Sequence, residues 1–282
     1  MINLIDLQLN ELEELMKELG QPKFRAAQVF SWLYKEAGKG AADFNDMTNI
    51  PKMIREKLSE ISTIGLPEIL KVQESKLDGT RKYLFGLADG NGVESVFMRY
   101  KFGNSICVSS QAGCRMGCSF CASTLGGLER NLTAGEIAGQ ILSAERDTGE
   151  RISHVVVMGS GEPFDNYENL SGFIRIINDP KGLNIGMRNI TVSTCGIVPM
   201  IERFGEDFPQ VNLAISLHAF TTYTPAASCV ASIFALPPRA VACAAREPLA
   251  AYTSSSSVEI EHIHLAVLRH HRAGNSTKEK GC

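Results

Sequence analysis

Residues 111–124 read Gln111-Ala-Gly-Cys114-Arg-Met-Gly-Cys118-Ser-Phe-Cys121-Ala-Ser-Thr124. The three cysteines follow the pattern C-x3-C-x2-C. Thiols spaced this tightly converge on one point only when the chain wraps around a bound group. Gly113 and Gly117 suit such a loop, because glycine lets the backbone turn closely around a neighbour.

The number of thiols favours an iron–sulfur cluster over a zinc ion. A [4Fe–4S] cube normally takes four cysteine ligands, so three leave one iron open to another ligand. A structural zinc site usually takes four nitrogen or sulfur ligands in two pairs, and no second pair lies near the motif. The remaining alternative is that Cys114, Cys118 and Cys121 pack as small hydrophobic side chains.

The text from Cys114 to Ala134, CRMGCSFCASTLGGLERNLTA, carries the radical SAM signature and closely resembles the RlmN family. The resemblance runs from near the N-terminus to about Ala219. It implies a methyltransferase that modifies C2 of an adenosine in 23S rRNA and in tRNA through a methyl-cysteine carrier. It also implies two cofactors, one [4Fe–4S] cluster bound by the three cysteines and S-adenosyl-L-methionine (SAM) on the open iron, which yields a 5′-deoxyadenosyl radical.

Composition is that of an ordinary globular protein. The 282 residues, 44% hydrophobic and 21% charged, can form one large core and a small accessory domain. No apolar run reaches the length of a membrane span, and the acidic, amphipathic N-terminus is not a signal peptide. Eight cysteines, three of them in the motif, fit a reducing compartment. We therefore expect a cytoplasmic monomer without a membrane contact, and the net charge of −3 neither supports nor excludes RNA binding.

The hydrophobic pattern predicts an α/β fold, a partial radical SAM (β/α) barrel preceded by a small helical N-terminal domain. Residues 1–62 form the helical domain, which the resemblance makes an RNA-docking module and which could instead be a packing appendage. Residues 63–101 form a β-hairpin segment, and residues 102–219 form the partial barrel. Helices are predicted at 9–19, 24–36, 51–61, 134–147, 167–177 and 199–204. Strands are predicted at 82–87, 93–98, 105–110, 152–158, 189–196 with its turn, and 211–218.

Two residues outside the cysteine motif are candidates for catalysis. A lone glutamate in a strand, such as Glu94, is usually a solvated surface residue, and a lone strand cysteine, such as Cys107, is usually an inert core residue. The resemblance gives both residues a role. It places the proton acceptor of the family at Glu94. It places at Cys107 the thiol that attacks the covalent RNA–enzyme adduct at the methyl-carrier sulfur. The same thiol is also a candidate for the base.

The candidate SAM contacts follow the predicted parallel strands. Gly161 and Glu162 lie in the turn Gly-Ser-Gly-Glu-Pro, which lacks the residues of a P-loop or a dinucleotide fingerprint and matches the radical SAM motif for the methionine amino group. The remaining candidates stand at strand ends, where parallel sheets place their active sites and where they could also be ordinary polar residues. These candidates are Ser193, Ser216, Leu217 and His218.

The sequence changes character after Ala219. Residues 220–282 contain two glycines and four of the six histidines, with no clear alternation of strands and helices and no match to the carrier cysteine of the family. We interpret this tail as a shifted reading frame or an aberrant terminus. The alternative is a natural ending that has diverged. We therefore expect this chain to be impaired in methylation. Its expected partners are 23S rRNA, tRNA and an electron donor such as flavodoxin or ferredoxin, and the rival function is a non-catalytic truncated or misframed product that binds an Fe–S cluster or RNA.

Overall fold

The computed structural model describes residues 1–34, 41 and 43–217, and the backbone of a strand at 240–244. The prediction for His218 and most of the prediction for the tail lie outside the described residues. No helix in the described ranges is long and apolar enough to cross a membrane.

Three amphipathic helices form most of the N-terminal part. They are α1 at Leu9–Glu18, α2 at Phe24–Tyr34 and α3 at Lys52–Ile61, which confirms the predicted helices within the described residues. The sequence analysis missed two short strands, β1 at Ile2–Asn3 and β2 at Ser62–Thr63, which pair in parallel.

The rest of the described chain alternates strands and helices, which confirms the α/β class. The helices are α4 at Ala134–Thr148, α5 at Tyr167–Asn178 and α6 at Val198–Asp207. The strands are β3 Glu68–Glu74, β4 Arg81–Gly86, β5 Gly92–Tyr100, β6 Gly103–Val108, β7 Gln111–Gly113, β8 Leu128–Asn131, β9 Ile152–Val157, β10 Ile190–Thr194, β11 Asn212–Leu217 and β12 Ala240–Ala244. Short 3₁₀ helices lie at Leu4–Asp6, Phe44–Asp46, Ala122–Thr124, Pro163–Asn166 and Met187–Asn189.

Eight of these strands form one sheet in the order β12-β11-β10-β9-β6-β5-β4-β3, and β7 pairs with β8 separately. β6, β9, β10, β11 and β12 run parallel, as a (β/α) barrel requires. β12 adds a fifth parallel strand to the four barrel strands that the sequence analysis counted. The run Ala-Val-Ala-Cys-Ala gives a weak signal because alanine is depleted in strands.

The predicted hairpin continues the barrel sheet. β4 and β5 form the hairpin, β5 also pairs antiparallel with β6, and β3 adds an edge strand that the sequence analysis did not delimit. Whatever β5 carries therefore lies beside the first parallel strand.

The two faces of the sheet differ in chemistry. One face contributes to the hydrophobic core together with side chains of α4, α5 and α6, and its members are Phe85, Phe97, Ile106, Val155, Val192 and Ile215, all fully buried. Successive side chains of a strand point to opposite faces, and paired residues share a face. The opposite face, called here the polar face, therefore carries Glu94, Cys107, His154, Thr191, Ser193, Asn212 and Ser216.

The N-terminal part contacts the start of α4 closely. Asp6 Oδ1 accepts a hydrogen bond of 2.8 Å from the backbone N–H of Gly135. A Cβ atom added to Gly135 would lie 2.5 Å from the carbonyl carbon of Ile5, which no real structure tolerates without movement. The capping box of Thr133 and Glu136, predicted from the sequence, begins the helix at this contact.

Candidate functional site

The cysteine loop is held closed by its own backbone. The N–H of Cys114 donates to the carbonyl of Gly127 at 2.8 Å, and Thr124 Oγ1 donates to the carbonyl of Cys121 at 2.9 Å. Gly113 has a φ of +77°, and a Cβ there would lie 2.0 Å from Gly127 O. The loop therefore needs glycine at that position, as the sequence analysis expected for a chain folded around a bound group.

The three thiols of the loop are free and chemically coupled. Cys114 is buried, whereas Cys118 and Cys121 are half-buried. Burial raises the pKa of Cys114, and the neighbouring thiols at Cys121 and Cys118 raise it further. Within the described ranges, no three histidine, cysteine or acidic side chains converge closely enough to hold a single metal ion. Three thiolates, with one iron left open, are the donor set that a [4Fe–4S] cluster would take here.

Glu162 links the turn after β9 to the end of β10. Its carboxylate is buried and accepts three hydrogen bonds, from the backbone N–H of Phe164 at 3.0 Å, the Thr194 hydroxyl at 2.7 Å and the backbone N–H of Cys195 at 2.8 Å. A carboxylate has about four acceptor positions, so little capacity remains. An ammonium group bound here would share the carboxylate with Cys195.

Glu94 and Cys107 lie on neighbouring strands and on the same face. Val96 of β5 pairs with Cys107 of β6, so Glu94, two residues from Val96, shares the polar face with the thiol. Glu94 is exposed and forms an ion pair of 2.9 Å with Lys82 Nζ of β4. The structure thus brings the two catalytic candidates onto one surface.

The thiol of Cys107 is poorly suited to ionise by itself. Burial raises the pKa of Cys107 to about 11, although a hydrogen bond from the Met158 backbone partly opposes the shift. At neutral pH this thiol therefore retains its proton, and a nucleophilic role requires a base to remove that proton.

The serine candidates also meet on the polar face. Ser193 of β10 pairs with Ala214 of β11, and the hydroxyls of Ser193 and Ser216 lie 3.2 Å apart, within hydrogen-bonding distance. Ser193 is buried and Ser216 is half-buried. The side chain of Leu217 is not described.

Sequence reasoning missed three polar residues that organise the site. Gln111 bonds to the turn of Glu162, Lys82 pairs with Glu94, and Cys195 follows β10 beside the carboxylate. Cys195 is exposed overall, but partial desolvation of its thiol raises the pKa above its usual range, and the charge of Glu162 contributes. Only Gln111 gave a usable signal, because it is a polar residue at the start of the cysteine motif.

Comparisons with known proteins agree with this geometry. The family model for the ribosomal RNA large subunit methyltransferase N-terminal domain matches residues 2–64, and the radical SAM superfamily model matches residues 108–229. Together with the parallel sheet and the cysteine loop, these matches define a radical SAM domain behind an N-terminal domain of the rRNA methyltransferase type.

Relatives narrow the class further. The chain is 56% identical over 219 residues to the probable dual-specificity RNA methyltransferase RlmN of Clostridium perfringens (strain 13 / Type A), which covers 78% of this chain and 62% of that protein. It is 54% identical over 223 residues to the corresponding protein of Bacillus cytotoxicus, covering 78% and 60%. The crystal structure of a radical SAM methyltransferase from Sphaerobacter thermophilus superposes with a TM-score of 0.73 at 43% identity and covers 78% of this chain and 64% of that one.

Over the matched residues the chain is similar to the RlmN proteins, both in its N-terminal segment and in its radical SAM segment. This confirms the resemblance from which the sequence analysis argued. The chain spans about 62% of the length of the curated relatives that it matches.

Proposed function

We propose that the chain carries the cluster-binding and SAM-binding part of a radical SAM methyltransferase that modifies C2 of adenosine in 23S rRNA and tRNA. The observation that carries the proposal is the arrangement at the carboxyl ends of β6, β9 and β10. The cysteine loop follows β6, the turn of Gly161 and Glu162 follows β9, and Cys195 N–H of the β10 end bonds to Glu162. Parallel sheets place their active sites at this edge.

Cys114, Cys118 and Cys121 would hold one [4Fe–4S] cluster and leave one iron for SAM. A bound cluster supplies the electron that cleaves SAM into methionine and a 5′-deoxyadenosyl radical. The loop must deliver thiolates, and because the pKa of Cys114 is raised, cluster binding there displaces a proton.

The proposed SAM contacts are Gly161, Glu162, Ser193, Ser216, Leu217 and His218. Gly161 has a φ of +103°, which favours glycine and brings the backbone of the turn close to its neighbours. The Glu162 carboxylate would attract the methionine ammonium group, and the paired hydroxyls of Ser193 and Ser216 offer hydrogen bonds to polar groups of the cofactor.

Glu94 and Cys107 would act on the RNA after SAM cleavage. Glu94 would accept a proton from the substrate adenosine, and it is exposed on the polar face, where a base can approach. After losing its proton, Cys107 would attack the methyl-carrier sulfur of the covalent RNA–enzyme adduct. A disulfide would form as the bond from that sulfur to the methyl-derived carbon breaks, and the electron pair of the broken bond would leave with the RNA-bound carbon. The raised pKa of Cys107 keeps it a neutral thiol until that step, which protects it from side reactions.

The partners and location follow from the same proposal. The helices within residues 2–64 would dock the rRNA or tRNA, since this segment matches the N-terminal domain of rRNA methyltransferases. A one-electron donor such as flavodoxin or ferredoxin would reduce the cluster. We propose a monomer in the cytoplasm, and the free cysteines of the described residues suit a reducing compartment.

Two separate readouts test the proposal on the anaerobically reconstituted 282-residue chain. The first is dithionite-dependent formation of 5′-deoxyadenosine from SAM, which Cys118→Ala should abolish. The second is transfer of labelled methyl from SAM to C2 of adenosine in 23S rRNA fragments and tRNA. Any transfer by the parent chain should fall in Glu94→Gln, with cluster content unchanged.

The two readouts separate the proposal from its rival. The absence of both cluster and SAM cleavage would contradict the proposal. RNA binding without SAM cleavage would favour the non-catalytic Fe–S or RNA-binding product. SAM cleavage without methyl transfer would limit the proposal to the radical-generating part, as the sequence analysis expects for a chain with no matched carrier cysteine.

A further inference from the structure

A buried glutamine connects the cysteine loop to the turn that follows β9. Gln111 begins β7, three positions before Cys114, and its side chain is completely buried. Burying a carboxamide is costly unless each polar atom finds a partner. The partners of Gln111 therefore show what this side chain holds in place.

All polar atoms of this side chain are used. Oε1 accepts a hydrogen bond of 2.8 Å from the backbone N–H of Glu162. Nε2 donates to Asn131 Oδ1 at 2.7 Å and to Asp165 Oδ2 at 2.9 Å. Two of the three partners belong to the 3₁₀ helix at Pro163–Asn166, since Glu162 is its N-cap residue and Asp165 lies within it, so the amide holds the start of this helix at two points.

The carbon stem of the glutamine also sets how closely the turn approaches. A Cβ atom added to Gly161 would lie 2.6 Å from Gln111 Cβ and 2.8 Å from Gln111 Cγ. The glycine at position 161 thus packs its backbone directly on the Gln111 stem.

A second contact, made by the residue after Cys114, also holds the cysteine loop against the 3₁₀ helix at Pro163–Asn166. Arg115 Nε, one residue after Cys114, donates to Asp165 Oδ2 at 2.7 Å. Asp165 Oδ2 therefore receives hydrogen bonds from residues on both sides of Cys114. Arg115 is largely exposed, which leaves buried Gln111 as the inner and better-shielded of the two links.

We propose that Gln111 is a positioning residue for SAM, which sets the separation between the three cysteines and the turn of Gly161 and Glu162. SAM must reach the open iron and this turn at once, so a small change in their separation weakens its binding. This inference rests on the proposed function, because it assumes that the loop holds the cluster and the turn holds SAM. Gln111 acts through the Glu162 backbone and touches no reacting atom.

The test compares two buried glutamines. Gln111→Met keeps the length of the side chain and removes its hydrogen bonds. Gln140→Met is the matched control, because Gln140 is equally buried and its amide bonds to Ser95 Oγ at 2.6 Å, Ser109 N at 2.9 Å and Ser109 O at 2.9 Å. Each reconstituted variant is measured for iron and sulfide content, melting temperature, SAM dissociation constant and the change in the EPR spectrum of the reduced cluster on SAM addition.

The expected result separates positioning from general stability. Both variants should lose thermal stability and keep the cluster, but only Gln111→Met should weaken SAM binding, by at least about ten-fold, and reduce the EPR change. Equal SAM affinity in the two variants would overturn the inference. If the parent chain binds a cluster but no SAM, the proposed function fails together with the inference.

Two further variants, which exchange the amide and the carboxylate, cover the case in which Gln111→Met does not fold. Gln111→Glu keeps the acceptor for the Glu162 N–H but places a second carboxylate beside Asp165. Adding Asp165→Asn supplies a donor in place of that charge. Positioning predicts that the single change weakens SAM binding and that the double change recovers it, whereas equal affinities in both proteins would contradict positioning.

Discussion

Glu145 Oε1 accepts a hydrogen bond of 2.6 Å from the backbone N–H of Ile152, and so joins the last turns of α4 to the first residue of β9. The Glu145 side chain is almost completely buried. Burial raises the pKa of this carboxyl from 4.5 to about 7, although the Ile152 N–H and the charge of Arg151 oppose the shift.

This burial makes stability depend on pH. The folded chain holds the proton of Glu145 to a higher pH than the unfolded chain does, so its contribution to the free energy of unfolding is greatest below about pH 4.5 and falls as the pH rises through about 7. The loss is on the order of 3 kcal/mol. Glu145→Gln keeps the acceptor and removes the charge, and we expect it to be more stable than the parent at pH 8 and similar at pH 4.5, as measured by urea unfolding.

Glu150→Gln provides a control of opposite sign. The hydrogen bond and charge of Arg99 lower the pKa of Glu150, so its stabilising contribution is present at neutral pH and is lost as the pH falls through the lowered pKa. This variant should therefore be less stable than the parent at pH 8. A Glu145→Gln variant with the pH profile of the parent would show that folding does not raise the pKa of this carboxyl.

The cysteine loop gives a prediction for cluster content. Anaerobic reconstitution should give about one [4Fe–4S] cluster per chain, and replacing Cys114, Cys118 or Cys121 by alanine should abolish it. Cys107→Ala should leave cluster content unchanged, because Cys107 lies within β6 rather than in the loop. Iron and sulfide analysis with the visible spectrum measures both outcomes, and full retention in all three loop variants would refute the ligand assignment.

Thiol reactivity in the cluster-free chain should follow burial. Cys107 is buried with a pKa of about 11, whereas Cys118 and Cys121 are half-buried. Only the thiolate reacts with iodoacetamide, so Cys107 should be alkylated at least about ten-fold more slowly than Cys118. Timed alkylation at pH 8 followed by peptide mass spectrometry gives the rates. Equal rates would mean that β6 is not packed as described.

The contact between Asp6 and Gly135 can be tested with a single methyl group. Gly135→Ala would place a Cβ within 2.5 Å of Ile5 and Asp6 atoms, so the N-terminal part must move away from α4. We expect a loss of about 1–3 kcal/mol in the free energy of unfolding.

Gly186→Ala is the matched control for that methyl group. Its Cβ would meet only Asn189 Nδ2 at 3.9 Å, so the change should stay within about 0.5 kcal/mol. Equal denaturant midpoints for the two alanine variants would show that the N-terminal part is not docked on α4.

Much of the local structure follows from the sequence because its signals are local. The capping box of Thr133 and Glu136 marked the start of α4, and the apolar run at 152–158 marked a strand, which is buried at Ile152 and at Val155–Val157 and half-buried between them. The three cysteines of the loop are recognisable for the same reason, since their spacing is itself the signal.

Properties that depend on pairing could not be predicted in this way. Strand register decides that Glu94 and Cys107 share a face, and register is set by contacts between distant parts of the chain. The hydrogen bonds of Gln111 likewise depend on residues 20 and 54 positions away in the sequence. The buried carboxylate of Glu162 depends on Cys195, which follows a different strand. β12 was missed because its alanine-rich sequence favours no strand.

The close contact of Ile5 and Asp6 with Gly135 has a consequence for how a substrate would be chosen. When the N-terminal part is fixed on the barrel at this contact, the distance between the helices and the sheet cannot change. If the helices bind the RNA as proposed, only a base at one fixed distance from them can reach the sheet. The base would then be selected by its position in the RNA and not by its sequence context. Stems one base pair longer or shorter would then deliver the wrong nucleotide, whatever their sequence.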